Sequence, residues 1–139
     1  MRTTGLRAPA WGLAALLSVV MLGCAVVRGG MRPVVSTAAG RLEMDAASAR
    51  RLQVITHGHR RDGQGRLVVS ATLRNASEDV FKAKVKVKFA SADGLLERNS
   101  FDTVTESLAA GETTFEWTSA TPDAQSYVVE LRSPRWFQW

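Results

Sequence analysis

Cysteine is nearly absent from this chain. Its 139 residues hold one, Cys24, so no internal disulfide can form. Histidine is almost as scarce: His57 and His59 stand two apart in "THGHRR" and would share one side of a strand. No third ligand accompanies them in a metal-binding frame, and Gly58 with Arg60–Arg61 argues for an exposed strand end whose positive charge disfavours a dication. No nucleophile elbow or acid pair is recognisable, and "GHRRDGQGR" lacks both the GK[ST] ending and the following helix of a phosphate loop. The expectation is therefore a protein without catalytic residues, metal or cofactor. Long apolar runs are also missing. The one candidate, "APAWGLAALLSVVML", has about 15 residues, short for a comfortable membrane-spanning helix.

That run has another use. It follows "MRTTGLR", which carries Arg2 and Arg7 and no acid, and it ends at "MLGC". A basic start, an apolar stretch and small residues at its end describe a secretory signal. Gly23–Cys24 after Met21–Leu22 resembles the lipobox of bacterial lipoproteins. The resemblance implies a signal peptide over 1–23, cleavage ahead of Cys24, and a diacylglyceryl group and palmitate-type acyl chains on that residue. A plain signal peptide or an anchor helix is the alternative. Two or three acyl chains anchor stably where one does not. Ala25, where an aspartate often retains lipoproteins at the inner membrane, implies the outer membrane, facing the periplasm.

Residues 24–49 read as the lipidated cysteine plus a flexible tether, since Gly29–Gly30, Pro33 and a Ser/Thr/Ala-rich stretch show no sustained period. A short helix over "RLEMDAASARRL" is the exception, with Leu42 and Ala46 on one side. Such a tether of about 20 residues would carry a domain some tens of ångströms from the bilayer. Arg28, Arg32 and Arg41 are placed to rest against anionic headgroups.

From residue 50 the pattern turns to period 2. "RLVVSATLRN" sets Leu67, Val69, Ala71 and Leu73 on one face, "ETTFEWT" sets Thr113, Phe115 and Trp117 inward, and "SYVVELR" does the same with Tyr127, Val129 and Leu131. "RLQVITHGHRRDGQGRL" reads as an edge strand turning at Asp62–Gly63. Strands every 10 to 15 residues without a convincing amphipathic helix predict a domain over 50–139: a small all-β, antiparallel sandwich of about six or seven strands.

Three segments carry a resemblance: "GRLVVSATLRNASEDVFKAKVKVKFASADGLL", "LAAGETTFEW" and "ATPDAQSYVVELR". Together they resemble the YcfL-like family of bacterial periplasmic lipoproteins, a domain of unknown function. The likeness runs over about residues 50–132 and includes the lipobox. The chain departs where that family often carries Trp-Phe-Asp before the Asp–Gly turn; here stand Phe89, Ala90 and Ser91. What the resemblance implies is an Ig-like or fibronectin-like sandwich with no assigned catalytic residue.

Two features bear on partners. "VFKAKVKVKF" places Lys82, Lys84, Lys86 and Lys88 on one face of a strand, spanning about 20 Å, while Phe81, Val85, Val87 and Phe89 fill the core. On one reading the row is the solvated face of an exposed or edge strand, blunted against aggregation, with Glu112, Glu116 or Glu130 neutralising part of it. On the other it contacts an anionic envelope glycan, lipopolysaccharide or acidic protein. Export argues against nucleic acid, as does a net charge of only +2 over residues 50–139. The tail "SPRWFQW" is the second feature. Trp136, Phe137 and Trp139 either close an open end of the sandwich or serve as a recognition or membrane-belt element. The expectation is a lipid-anchored envelope module that binds or scaffolds an envelope protein, with a spacer holding anionic glycans as the alternative.

Overall fold

Eight strands follow in order: β1 (Arg32–Ser36), β2 (Gly40–Met44), β3 (Leu52–Arg61), β4 (Leu67–Asn75), β5 (Phe81–Ser91), β6 (Thr103–Leu108), β7 (Gly111–Thr118) and β8 (Ala124–Arg132). One six-residue helix, α1 (Ala46–Arg51), stands between β2 and β3. The computed structural model describes residues 30–134. The strands form two sheets, one of five in the order β1-β2-β8-β5-β6 and one of three in the order β3-β4-β7. The all-β sandwich read from the sequence is the fold.

The alternating residues make the core. Val69, Ala71 and Leu73 of β4 are fully buried, as are Ala83 of β5 and Val129 and Leu131 of β8, with Phe89 and Tyr127 nearly so. Phe115 and Trp117 of β7 stack with centroids 5.6 Å apart and pack on that core half-buried. β3 is an edge strand, and its turn into β4 is made by Asp62. The Asp62 carboxylate accepts from the Gln64 and Arg66 amides at 2.9 Å, and Gly65 supplies the positive φ of 76°.

The N-terminal boundary differs from the expectation. Residues 32–49, read as part of the tether over 24–49, enter the fold in β1, β2 and most of α1. Leu42 and Met44 are 0% and 1% exposed. β2 pairs parallel with β8, Leu42 opposite Val129, and adds the strands that bring the count to eight. The reason is Gly40. A Cβ there would stand 2.0 Å from the Tyr127 carbonyl oxygen, so a glycine lets β2 begin close against β8. The domain therefore starts at β1, not at residue 50. Asp45 then caps α1, its carboxylate accepting the Ser48 amide at 2.8 Å. The helix expected over "RLEMDAASARRL" is present only in its second half.

Candidate functional site

The solvent face of the five-stranded sheet follows from strand register. On β5 every second residue from Phe81 to Phe89 points toward the core, which turns the lysines outward. Across from them on β8, Lys84 faces Arg132, Lys86 faces Glu130 and Lys88 faces Val128. On the other side β6 offers Ser107, Thr105 and Thr103 opposite Lys82, Lys84 and Lys86. β2 extends the face with Arg41 beside Val128 and Glu43 beside Glu130. The lysine strand is thus an interior strand, flanked by β8 and β6, and not the edge strand considered from the sequence. Edge protection does not explain its lysines.

Charge on this face is unevenly compensated. Glu130, 7% exposed, accepts an ion pair from Lys88 and a longer one, at 3.4 Å, from Arg132. Of the three glutamates considered as partners for the row, Glu130 is the one that serves. Glu112 and Glu116 lie on the other sheet, paired with Arg74 and Arg60. Among the described residues no carboxylate forms an ion pair with Lys82 or Lys84. Lys84 instead stands directly opposite Arg132, a like-charge pair of the kind that destabilises a sheet. All four lysines of the chain lie in this one row.

The row borders an open cleft of about 600 Å³, lined by Met31, Asp45, Lys84, Lys86, Lys88, Thr103, Glu130, Arg132 and Ser133. Both acids in it are committed. Glu130 holds Lys88 and Arg132, while Asp45 caps α1 and accepts the Ser133 amide and hydroxyl at 2.9 Å. Burial acts to raise the Asp45 pKa, but the hydrogen bonds from Ser48 and Ser133 together outweigh it and hold the carboxyl below its ordinary value. The cleft therefore presents ammonium and guanidinium groups with the Thr103 hydroxyl beside them, a donor set for phosphate or carboxylate. Sequence reasoning found the lysines but missed Arg132, Asp45, Ser133 and Met31 as their neighbours. The signal for Arg132 was present, because the alternation that sends Leu131 inward sends Arg132 outward.

A second polar cluster bridges the two sheets. The Tyr127 hydroxyl lies 2.8 Å from both the Thr37 hydroxyl and His57 Nε2. Burial lowers the His57 pKa, the Ser70 backbone opposes it in part, and the neighbouring His59 adds a lesser lowering. His59 lies alongside the same ring, with centroids 6.0 Å apart. His57 is half-buried against the tyrosine, while His59 and the arginines after it are exposed at the end of edge strand β3, as read from the sequence. Among the described residues no group of three or more His, Cys, Asp or Glu side chains is placed to hold a metal ion. No described helix is long and apolar enough to cross a membrane. Cys24, Trp136, Phe137 and Trp139 lie outside the described residues.

No family model matches the chain, and no curated protein does. Among solved structures, cj0090 from Campylobacter jejuni is similar over 58% of this chain and 84% of its own, with 22% identity and a TM-score of 0.50. A DUF1425 family member from Shewanella sp. pv-4 is similar over 78% of this chain and 100% of its own, with 13% identity and a TM-score of 0.53. At these identities the likeness is one of fold: the sandwich is shared with a member of a bacterial domain family of unknown function.

Proposed function

We propose that this chain is a YcfL-like lipoprotein of the bacterial cell envelope, acylated at Cys24 and held at the outer membrane facing the periplasm. Its sandwich is a non-catalytic binding module, and its contact surface is the basic face of the five-stranded sheet. The observation that carries this reading is Lys84 standing directly opposite Arg132 in an open cleft, with no carboxylate among the described residues paired to Lys84. A sheet tolerates two like charges directly opposed more readily when an anion lies between them. The sequence features behind the anchor are the lipobox-like "MLGC" and the single cysteine.

The test has two parts. Palmitate should label the wild-type chain and not Cys24→Ala, with the label in the membrane fraction. Crosslinking from the basic face should then capture an anionic envelope component, with capture weakening steeply as salt rises. Capture that is indifferent to salt and lost on Trp136→Ala or Phe137→Ala would move the contact to the aromatic tail and a hydrophobic protein partner. Label on neither chain would remove the anchor.

A further inference from the structure

The basic cleft sits where the chain enters the fold. Met31 lines it, and Cys24 lies only seven residues earlier in the sequence. At about 3.5 Å per residue that segment reaches at most about 25 Å. With the acyl chains of Cys24 in a bilayer, the mouth of the cleft therefore cannot leave the headgroup region by more than about one domain width. The last described strand also ends at the cleft, through Ser133. Trp136, Phe137 and Trp139, residue types favoured at membrane–water interfaces, follow within six residues. Arg41 on β2 lies on the same face, paired with Glu43.

We infer that the cleft docks the domain onto the bilayer that anchors it, with Lys84 and Arg132 in the cleft, and Lys82 next to it along the same row, receiving the phosphates of anionic lipid headgroups. The inference rests on the proposed acylation of Cys24 and names the partner of the basic face as the membrane surface itself. A domain on a long tether would reach away from the membrane; on so short a leader it lies against it. Three features make the bilayer the fitting occupant. The reach of the leader holds the cleft near the surface, the charge is complementary to anionic lipid, and the cleft is open, as a surface of many headgroups requires.

The lysine row gives the experiment its readout, because no lysine occurs elsewhere in the chain. The full chain, purified from membranes with its anchor, is placed on preformed vesicles of phosphatidylcholine alone or with about one quarter phosphatidylglycerol. A water-soluble amine-acylating reagent is then read lysine by lysine by mass spectrometry. Acylation of Lys82 and Lys84 should slow about fivefold or more on the anionic vesicles, with Lys88, already paired with Glu130, changing less. High salt should erase the difference.

Equal rates on both vesicles, in a chain that carries palmitate and floats with them, would overturn the docking and leave the anchor standing. The same slowing by millimolar inorganic phosphate without vesicles would also overturn it, marking a site for a soluble anion. Absence of palmitate and of flotation would instead sink the anchor reading. A second arm uses the unlipidated Cys24→Ala chain. Its partition onto phosphatidylglycerol vesicles should fall at least about tenfold when Lys82 and Lys84 are both changed to Gln, at about fivefold per charge. Unchanged partition would count against the docking.

Discussion

Truncating Leu42 to alanine distinguishes a domain that begins at β1 from one that begins at residue 50. Leu42 is 0% exposed and lies opposite Val129 in the parallel pairing of β2 with β8. The substitution removes three carbons, about 2.4 kcal/mol of transfer free energy at ~0.8 kcal/mol per methylene. Sheet neighbours on both sides limit how far the site can collapse, so a cavity contribution brings the expected loss to about 3–4 kcal/mol. For a domain of this size each kcal/mol shifts the midpoint by about 4–8 °C, so thermal unfolding should move down by about 15–25 °C. Near-ultraviolet circular dichroism follows it, since the buried Tyr127 and half-buried Trp117 report tertiary packing. Val34→Ala on β1, where the side chain is 46% exposed, is the control and should cost under about 0.5 kcal/mol. If Leu42→Ala unfolded within about 0.5 kcal/mol of wild type, residues 32–44 would be tether after all and the short leader behind the membrane docking would go with it.

Three further outcomes follow from single contacts. Gly40→Ala places a Cβ 2.0 Å from the Tyr127 carbonyl oxygen, a clash with backbone that no rotamer relieves. Urea unfolding should show a loss above about 2 kcal/mol, more than an ordinary exposed Gly→Ala change of either sign. Asp45→Asn weakens the cap on Ser48 and the bonds from Ser133, and should cost about 1–2 kcal/mol at neutral pH. Because the folded pKa of Asp45 is lowered, its contribution is present above the unfolded value of 3.8 and lost as pH falls through the folded value. The variant should therefore lose less stability than wild type in that acid window. His57 also has a lowered pKa, so protonation favours the unfolded chain, and stability should decline as pH falls below the ordinary value of 6.5. His57→Gln should flatten that decline, as read by urea midpoints across pH 5 to 7; an unchanged slope would show that the Tyr127–His57 contact does not report burial of a neutral imidazole.

The sandwich was legible wherever one strand alternates between core and water. Leu67, Val69, Ala71 and Leu73 write the inner face of β4 directly into the sequence, and Tyr127, Val129 and Leu131 do so for β8. The two N-terminal strands were not legible, for physical reasons. β1 and β2 have five residues each, too short to establish a period, and they are interrupted by Gly and Pro that elsewhere mark loops. β2 is also placed by a parallel pairing with β8, more than 80 residues on, and no local pattern encodes a long-range partner. The fact that fixes β2 is the absence of a side chain at Gly40, which in sequence reads only as flexibility.

The candidate site was half legible for a related reason. Alternation gave the lysine row, but the net charge of +2 over residues 50–139 suggested that carboxylates would balance it. Net charge sums over faces that never meet. On the three-stranded sheet, Arg74 pairs with Glu112 directly across from it on the neighbouring strand, and Arg60 of β3 reaches over β4 to Glu116 of β7. Those two glutamates are thereby unavailable to the five-stranded sheet, where six basic residues, Arg41, Arg132 and the four lysines, face outward with Glu43 and Glu130. Glu43 pairs with Arg41, and Glu130 with Lys88 and Arg132. A nearly neutral domain is thus polarised by its strand order, the three-stranded sheet with both of its glutamates paired to arginines and the five-stranded sheet carrying the larger positive excess. Inserting β2 beside β8 brings the N-terminal end of the described residues to the positive sheet. The same pairing that hid the true start of the domain thus sets its first strands in the sheet whose basic face is proposed to meet the membrane.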